Sequence, residues 1–375
     1  MSQGLFPLKK ALQVFGVSPE NLNEPDLDET QLPAFARSAV DQRILKSWSL
    51  QEMPSVGERI GFMKKPSKPL AAAIFVTKGG VLKSSLTLNL ARTAALHGIR
   101  TCVVGLDMQA DVTTALSIDE VADENISFVD ALERMNSLRG LADVFAGDAT
   151  LEQVLQPSDL PTLFYIPETP ELVALDQSLI NRNRREYWLK DNVIDRLKTQ
   201  FDLVLMDCSP NWNRLITNAL VACDTLISPL ECKINNFRNF KTFQALLNEF
   251  SKDMHTEFRH LFVPTRLSNA RKLSREIADW YRQNLPNCTV NAVRENSQGE
   301  EAMALRISVA EHAPKSAAAD ELRSLIGELW ESMTTDQSAR ISEISARSAA
   351  IEPRRSSAEL ANSSEPTRRA HESSL

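Results

Sequence analysis

Two lysines and two glycines lie together in a short stretch with the residue types of a phosphate-binding loop. In order, its residues are Lys78, Gly79, Gly80, Val81, Leu82, Lys83, Ser84 and Ser85. Glycines allow a backbone to close around phosphate oxygens, and a lysine adds a full positive charge. An apolar run precedes the loop, and apolar residues at helical spacing follow it. We therefore predict a strand, a phosphate loop and a helix N-terminus, where free N–H groups and the helix dipole favour anions.

The stretch departs from the usual G-x-x-x-x-G-K-[ST] pattern at two positions. Thr77 or Lys78 replaces the first glycine, depending on the count, and Leu82 replaces the glycine before the second lysine. A Gly-Gly turn between a strand and a helix would explain the glycines alone, but the lysines and Ser84 favour nucleotide binding. At Leu82 a β-carbon either forbids the tight turn that glycine allows or means that the loop uses negative φ.

Two acidic residues end apolar runs further along the chain. Asp107 closes the run 99–107, and Asp207 closes the run that begins at residue 201. Continuous apolar runs are typical of parallel strands that are covered on both faces, and ligands bind at the carboxyl edge of such sheets. We expect both carboxylates at that edge, although Asp107 could be a strand-end cap and Asp207 a turn residue.

The order of predicted elements indicates three regions. Strands and helices alternate over 70–333, which predicts an α/β domain with a doubly wound, mostly parallel sheet. Residues 1–69 are predicted to form a helical N-terminal extension and linker, with a longer helix over 35–53. This extension could be an arm that packs on the main domain or a dimer mate, or a small DNA-binding module. Residues 334–375 lack aromatic residues and are rich in Ser, Ala, Arg and Glu, which predicts a disordered tail.

Composition narrows the function classes. The net charge of −7 over 375 residues is not that of a polycation, so any nucleic-acid contact must come from a local patch. Five scattered cysteines with no C-x-x-C pair read as reduced core residues. No apolar run approaches the roughly 20 residues that span a bilayer, and no signal pattern opens the chain. We expect a cytoplasmic protein with no membrane partner.

Together these motifs resemble the deviant-Walker-A ATPases of the ParA/MinD superfamily, and most of all the ParA family of DNA-partition ATPases, over about residues 71–333. The family's loop is K-G-G-x-G-K-[ST]-[ST]. Its second motif, D-x-D-P-Q, appears here as G-L-D-M-Q over 105–109, without the first Asp and the Pro. Its third motif, I-I-D-x-P-P, appears as L-M-D-C-S-P over 205–210. Larger plasmid-type members also replace the loop glycine with a bulky residue and carry an N-terminal extension, so Leu82 does not indicate an inactive site.

The resemblance implies ATP and Mg²⁺ as cofactors. Lys83 would contact the β- and γ-phosphates. Ser84 would ligate Mg²⁺, and Asp207 would hold that ion through water. The other loop residues implied to contact the nucleotide are Gly79, Gly80, Val81, Leu82 and Ser85.

The resemblance also implies a homodimer that forms on ATP binding. Lys78 would reach across the interface to the partner's nucleotide, much as an arginine finger supplies charge in trans. Asp107 would orient the attacking water. Thr265 and Arg266 follow a predicted strand where the family places adenine contacts.

Nonspecific DNA binding is the output of the family, and it requires basic residues on one face. The predicted DNA-binding residues are Arg266, Arg271, Lys272, Arg275 and Arg294. Helical spacing places Arg271, Lys272 and Arg275 close together on one helix surface. A solvated basic face would have the same pattern.

The implied function is ATP-dependent DNA partition by a nucleoid-associated protein. The ATP-bound sandwich dimer would bind DNA, and a ParB-like partner would stimulate hydrolysis. Two alternatives stay open because the second motif is altered: a weakly hydrolysing, nucleotide-gated scaffold, and a MinD-like positioning factor that recruits a partner to a cellular site.

Overall fold

The computed structural model describes residues 5–18, 20, 36–40, 43–118 and 137–335 of the chain. Its strands are β1 (Phe6–Pro7), β2 (Ala36–Val40), β3 (Arg43–Trp48), β4 (Leu70–Ile74), β5 (Thr101–Leu106), β6 (Gln156–Pro157), β7 (Leu163–Ile166), β8 (Leu203–Cys208), β9 (Thr225–Glu231), β10 (Arg259–Leu267) and β11 (Val293–Arg294).

Its α-helices are α1 (Leu8–Val14), α2 (Met53–Ile60), α3 (Lys83–Leu96), α4 (Asp111–Leu116), α5 (Leu141–Ala146), α6 (Leu151–Val154), α7 (Leu172–Ser178), α8 (Asp195–Leu197), α9 (Arg214–Ala222), α10 (Ile234–Met254), α11 (Lys272–Asn284), α12 (Ser297–Ala304), α13 (Val309–His312) and α14 (Ala317–Thr334). Between α7 and α8 lie two 3₁₀ turns (Leu179–Asn181 and Arg185–Tyr187) and one π-helical turn (Lys190–Ile194).

The central sheet has eight strands in the spatial order β11, β10, β9, β4, β8, β5, β7, β6. Neighbouring strands are parallel except in the β6–β7 pair. Successive side chains of β4 enter different cores: Ala71 and Ala73 pack into one apolar cluster, and Ala72 and Ile74 pack into another. Because both faces are covered, every residue of β4 is buried, which explains its uninterrupted apolar sequence. The predicted doubly wound, mostly parallel sheet is confirmed.

The N-terminal extension differs from the prediction in one element. The predicted helix over 35–53 is wrong, because β2 and β3 form an antiparallel pair there, and β1 pairs with β3 to complete a three-stranded sheet. Apolar spacing alone does not separate a helix from short strands. The hydrogen-bonded pairing of β3 with strands on both sides decides the conformation, and that pairing is invisible in local sequence.

The extension packs on the sheet domain. Phe15, Trp48 and Met53 are buried in the same apolar core as Leu90 and Ala94 of α3. This packing favours the arm among the two alternatives for the extension. The domain boundary at residue 69 stays a prediction, and the predicted tail lies outside the described residues from 336 onward. Among the helices that the structure describes, none combines the length and the apolar character needed to cross a bilayer.

Candidate phosphate-binding site

The glycine loop after β4 opens onto a cleft of about 700 Å³. Gly79 and Gly80 are exposed, and a β-carbon at either position would meet nothing within 4 Å. The backbone at Gly80 has a φ of +71°, which side chains disfavour and glycine adopts freely. The helix that follows, α3, begins at Lys83 with no side chain capping its N-terminus. Its first-turn N–H groups are therefore available to an anion in the cleft.

Leu82 adopts the left-handed conformation that glycine would normally supply. Its φ is 72° and its ψ is 31° at the residue just before α3. The alternative of negative φ is therefore wrong, and the β-carbon does not forbid the turn. A non-glycine residue in this region costs about 1–2 kcal/mol, so the surrounding structure must hold the loop in place.

The two loop lysines line different cavities. Lys83 is 6% exposed and lines the cleft, and its Nζ lies 3.4 Å from the backbone oxygen of Lys78. The Lys78 residue lines a neighbouring recess together with Glu231 and Arg271. The recess and the cleft share Arg266 in their walls. The separate roles of the two lysines stay a prediction.

Asp107 directly follows β5, and Asp207 is the last residue but one of the adjacent strand β8, so both lie at the carboxyl edge of the sheet. Asp207 pairs in register with Gly105, two residues before Asp107. Asp107 is 8% exposed and lines the cleft, and its Oδ1 accepts a hydrogen bond of 3.2 Å from the backbone N–H of Gln109. The carboxylate thus caps the turn after β5, as the alternative interpretation had it, and also reaches the cleft.

Asp207 is fully buried beneath the start of α3. Its Oδ1 accepts a 2.8 Å hydrogen bond from the hydroxyl of Thr87, while its Oδ2 has no hydrogen-bond partner within the described chain. Burial raises the pKa of Asp207 to about 6, against the opposing effects of the Ser84 and Thr87 hydroxyls and the Lys83 charge. A buried carboxylate oxygen without a partner is costly unless a cation or a proton satisfies it.

Thr265 and Arg266, predicted near the adenine, differ in their access to the cleft. Thr265 is fully buried in β10, whereas Arg266 lines the cleft. The Arg266 guanidinium donates from Nε to the backbone oxygen of Gly80 at 2.9 Å and from Nη1 to Glu295 at 2.7 Å. Arg266 therefore ties the glycine loop to the segment after β11.

Only three of the five predicted DNA-binding residues lie close together in the structure. Arg271, Lys272 and Arg275 are exposed at the start of α11, where Lys272 pairs with Glu276 of the same helix at 3.5 Å. Arg294 instead lies in the cleft wall, where it pairs at 3.0 Å with a glutamate of α14. Arg266 is likewise engaged in the cleft, so neither residue extends the exposed cluster on α11.

Sequence analysis missed two residues, Thr87 and Glu168, that lie near Asp107 and Asp207. Thr87 lies four residues after Lys83, a spacing that places both on one face of α3. Glu168 follows β7 by two residues and is 5% exposed. Burial raises the pKa of Glu168 to about 8, and the charges of Asp207 and Asp107 add to that effect while bonds from Thr113 oppose it. An acid just after an apolar strand was the signal that identified the two aspartates, and it applied to Glu168 as well.

A protein-family profile described as AAA domain matches residues 71–260, just over half of the chain. The chain belongs to this family. The chain is 30% identical over 156 residues to the chromosome partitioning protein ParA of Myxococcus xanthus, which is 42% of this chain and 50% of that protein. It is also 24% identical over 289 residues to the cell division protein PomZ of the same organism, 76% of this chain and 80% of PomZ. The chain thus spans about half the length of the ParA relative, and the resemblance to ParA-type partition ATPases is confirmed.

Solved structures show the same fold. A putative plasmid partition protein from Borrelia burgdorferi, bound to AMPPNP, superposes with a TM-score of 0.57 at 16% identity, over 71% of this chain and 100% of that one. Cobyrinic acid a,c-diamide synthase from Mycobacterium smegmatis, with bound ADP and magnesium, gives a TM-score of 0.57 at 21% identity, over 70% and 94% of the two chains. At these identities the likeness establishes the fold alone.

Proposed function

We propose that this protein is an ATP-dependent DNA-partition ATPase. The observation that carries the proposal is the uncapped N-terminus of α3, with Lys83 in its first turn, facing a cleft that Asp107 also lines. A helix N-terminus and a lysine bind phosphate, and a nearby carboxylate can orient a water molecule for attack on it. The partition role is supported by the name of the ParA relative.

ATP and Mg²⁺ are the proposed cofactors. The two solved structures carry AMPPNP in one case and ADP with magnesium in the other, on the same fold. The residues of this chain fit the ion: Asp207 offers a buried oxygen that has no hydrogen-bond partner among the described residues, and Ser84 lies in the same site. Mg²⁺ takes few protein ligands and keeps several waters, so one carboxylate and one hydroxyl are enough protein ligands for it. When bound, Mg²⁺ would supply positive charge to the β- and γ-phosphates.

Each side chain then has a distinct task. Lys83 neutralises charge on the phosphates from its buried position, and the first N–H groups of α3 donate to phosphate oxygens. Asp107 accepts a hydrogen bond from the attacking water and aligns it. The hydrogen bond from Gln109 holds that carboxylate in place, which lowers the cost of orientation during the reaction.

Lys78 is proposed to act in trans within an ATP-bound homodimer. Its place in a separate recess supports this role, because Lys83 already supplies a lysine to the cleft of its own subunit. A cation that arrives only on dimerisation would make hydrolysis depend on assembly, as a trans-acting arginine does in other nucleotide hydrolases.

The protein is further proposed to bind DNA, to be stimulated by a partner protein and to associate with the nucleoid. The exposed cluster of Arg271, Lys272 and Arg275 would contact DNA phosphates in the dimer. A ParB-like protein that carries the cargo DNA would stimulate hydrolysis, and the protein would associate with the nucleoid in the cytoplasm.

A second candidate is a nucleotide-gated positioning factor that hydrolyses ATP weakly and recruits a partner to a cellular site. The match over 80% of the length of PomZ, a cell division protein, supports a role other than DNA partition. The altered second motif, with Gly105 in place of an aspartate, fits slow hydrolysis.

Steady-state ATP turnover with Mg²⁺, measured with and without duplex DNA, tests the proposal. Lys83→Ala should weaken nucleotide binding and lower kcat on the order of 10²-fold, because a preorganised phosphate contact is lost. Lys78→Ala should keep nucleotide affinity and lose turnover instead.

The matched control is Lys252→Ala, at an exposed lysine near the end of α10, and it should change neither nucleotide affinity nor turnover. ATP binding without turnover, in the presence and absence of DNA, would favour the positioning factor. Absence of ATP binding by the unmodified protein would contradict both candidates.

A further inference from the structure

Gly105 leaves a space in β5 that the side chain of Glu168 fills. A β-carbon built on Gly105 would lie 2.2 Å from Cγ of Glu168, 2.4 Å from its Cδ and 2.6 Å from its Oε1. Real β-carbons do not approach other atoms this closely, and Glu168 is 5% exposed and has little room to withdraw. The carboxyl group of Glu168 therefore stands where a side chain at position 105 would begin.

Position 105 is where the resembling family has the first aspartate of its second motif. Gly105 lies two residues before Asp107, which directly follows β5. Gly105 also pairs in register with Asp207 on β8. The carboxyl group of Glu168, which follows the neighbouring strand β7, thus lies at the place from which the aspartate is missing.

Glu168 is fastened to the helix that follows Asp107. Its Oε2 accepts hydrogen bonds from the backbone N–H of Thr113 at 2.9 Å and from the Thr113 hydroxyl at 2.8 Å. In return, the backbone N–H of Glu168 donates to the Thr113 hydroxyl oxygen at 2.7 Å. Thr113 belongs to α4, which begins four residues after Asp107. These three bonds hold α4, at one end of the Asp107 turn, while the close packing of Glu168 against Gly105 meets the β5 end.

We propose that Glu168 takes over the place of the missing aspartate and is a positioning residue that holds the Asp107 turn for hydrolysis through Thr113. The proposal rests on the ATPase function proposed above. It assigns no proton transfer to Glu168, and it requires only that the carboxyl group fill the space beside Gly105 and accept the two bonds from Thr113.

A reciprocal exchange of the two positions tests the proposal. The four full-length proteins are the unmodified chain, Glu168→Ala, Gly105→Asp and the double variant. We expect Glu168→Ala to lower kcat by about 10²-fold with little change in KM, because a small displacement of a reacting group costs this much. Gly105→Asp should unfold at a lower temperature and hydrolyse ATP more slowly than the unmodified chain, because its side chain meets Glu168. The double variant should fold and regain kcat to within about threefold of the unmodified protein, a coupling expected only of residues in contact.

A conservative variant separates positioning from charge. Glu168→Gln keeps the volume and an oxygen that accepts from Thr113, so it should retain kcat to within about threefold. A Gln variant as inactive as Glu168→Ala would overturn the positioning role. A double variant that is no better than the worse single variant, or that does not fold, would overturn the exchange.

Failure of this proposal is distinguishable from failure of the ATPase proposal. If the unmodified protein hydrolyses no ATP, the ATPase proposal fails, but the thermal unfolding midpoints of the four proteins still test the geometry. The midpoint of the double variant should exceed that of Gly105→Asp, whether or not ATP is hydrolysed. A double variant with the lower midpoint of the two would contradict the shared space.

Discussion

The hydroxyl of Thr87 donates a 2.8 Å hydrogen bond to Oδ1 of Asp207 and joins the second turn of α3 to the end of β8. Both side chains are fully buried. The same helix presents Lys83 to the cleft one turn earlier, so phosphate binding and the position of the Asp207 carboxylate depend on one rigid element. A shift of α3 would move both groups together.

Thr87→Val should therefore destabilise the protein and weaken its use of Mg²⁺. Valine keeps the shape of threonine but removes the hydrogen bond that the Thr87 hydroxyl donates to the buried carboxylate, which costs about 1–3 kcal/mol. Denaturant unfolding measures the first effect, and the Mg²⁺ concentration that gives half-maximal turnover measures the second. The matched control is Thr217→Val in α9, whose hydroxyl bonds only to a backbone oxygen of its own helix. Equal effects of the two substitutions on the Mg²⁺ requirement would contradict this role.

Substitutions of Leu82 by residues that adopt positive φ easily should preserve nucleotide binding, and substitutions by residues that do not should weaken it. Leu82→Gly and Leu82→Asn keep access to φ near 72°, so each should preserve nucleotide affinity to within about threefold. Leu82→Val should lower that affinity by about tenfold or more, because β-branched residues strongly disfavour this region. Titration with a fluorescent ADP analogue measures all three affinities. A valine variant that binds as tightly as the glycine variant would show that the left-handed turn is not needed.

The buried side chain of His97 should make the protein less stable in mild acid. It is 3% exposed, lies between the rings of Phe15 and Phe62, and shares a 2.7 Å hydrogen bond through Nδ1 with the backbone oxygen of Thr93. Burial lowers its pKa from 6.5 to about 4, although the bond to Thr93 acts in the other direction. Between those two pH values the unfolded chain binds the proton and the folded chain does not. The protonation of His97 therefore costs no stability above pH 6.5. As the pH drops to 4, it lowers the free energy of unfolding by up to about 3 kcal/mol.

The comparison with His97→Leu isolates that effect. Carboxylates titrate in both proteins, so the difference between their unfolding free energies from pH 7 to pH 4 reports His97. We expect a shallower acid decline for the leucine variant. The control is His255→Asn, an exposed position with a φ of 50° that asparagine tolerates, and it should follow the unmodified protein. Parallel acid profiles of His97→Leu and the unmodified protein would contradict the prediction.

The exposed cluster on α11 should carry the salt dependence of DNA binding. Alanine at Arg271, Lys272 and Arg275 should reduce the slope of log K against log salt by about 2–3, close to one per lost phosphate contact. A matched triple substitution at the exposed Arg182, Arg184 and Arg185 should leave the slope unchanged. Arg294→Ala should change nucleotide affinity and leave the slope unchanged, because Arg294 is paired in the cleft wall. If the slope falls in the Arg182, Arg184 and Arg185 variant and not in the α11 variant, the DNA-binding surface does not include the α11 cluster.

Much of the fold and site was predictable because it follows from local sequence. Continuous apolar runs ending in an acid predicted β5 and β8, and the lysine-bearing glycine loop predicted the start of α3. The small N-terminal sheet was not predictable, since β1 pairs with β3 across some 40 residues of chain and local spacing carries no sign of that pairing. Leu82 shows a different limit: its residue type argues against positive φ, and only the surrounding loop imposes it. Glu168 was missed because its importance depends on an empty space at Gly105, which lies on another strand.

DNA binding as a function of salt, with ATP, with ADP and without nucleotide, tests the central claim most directly. The account predicts tight binding with ATP and Mg²⁺ that weakens steeply with salt, weak binding with ADP or no nucleotide, and loss of the ATP-dependent component in Lys83→Ala. If the unmodified protein binds DNA equally well with no nucleotide, or if Lys83→Ala binds as the unmodified protein does with ATP, the nucleotide at the α3 N-terminus does not control DNA binding and the account is wrong.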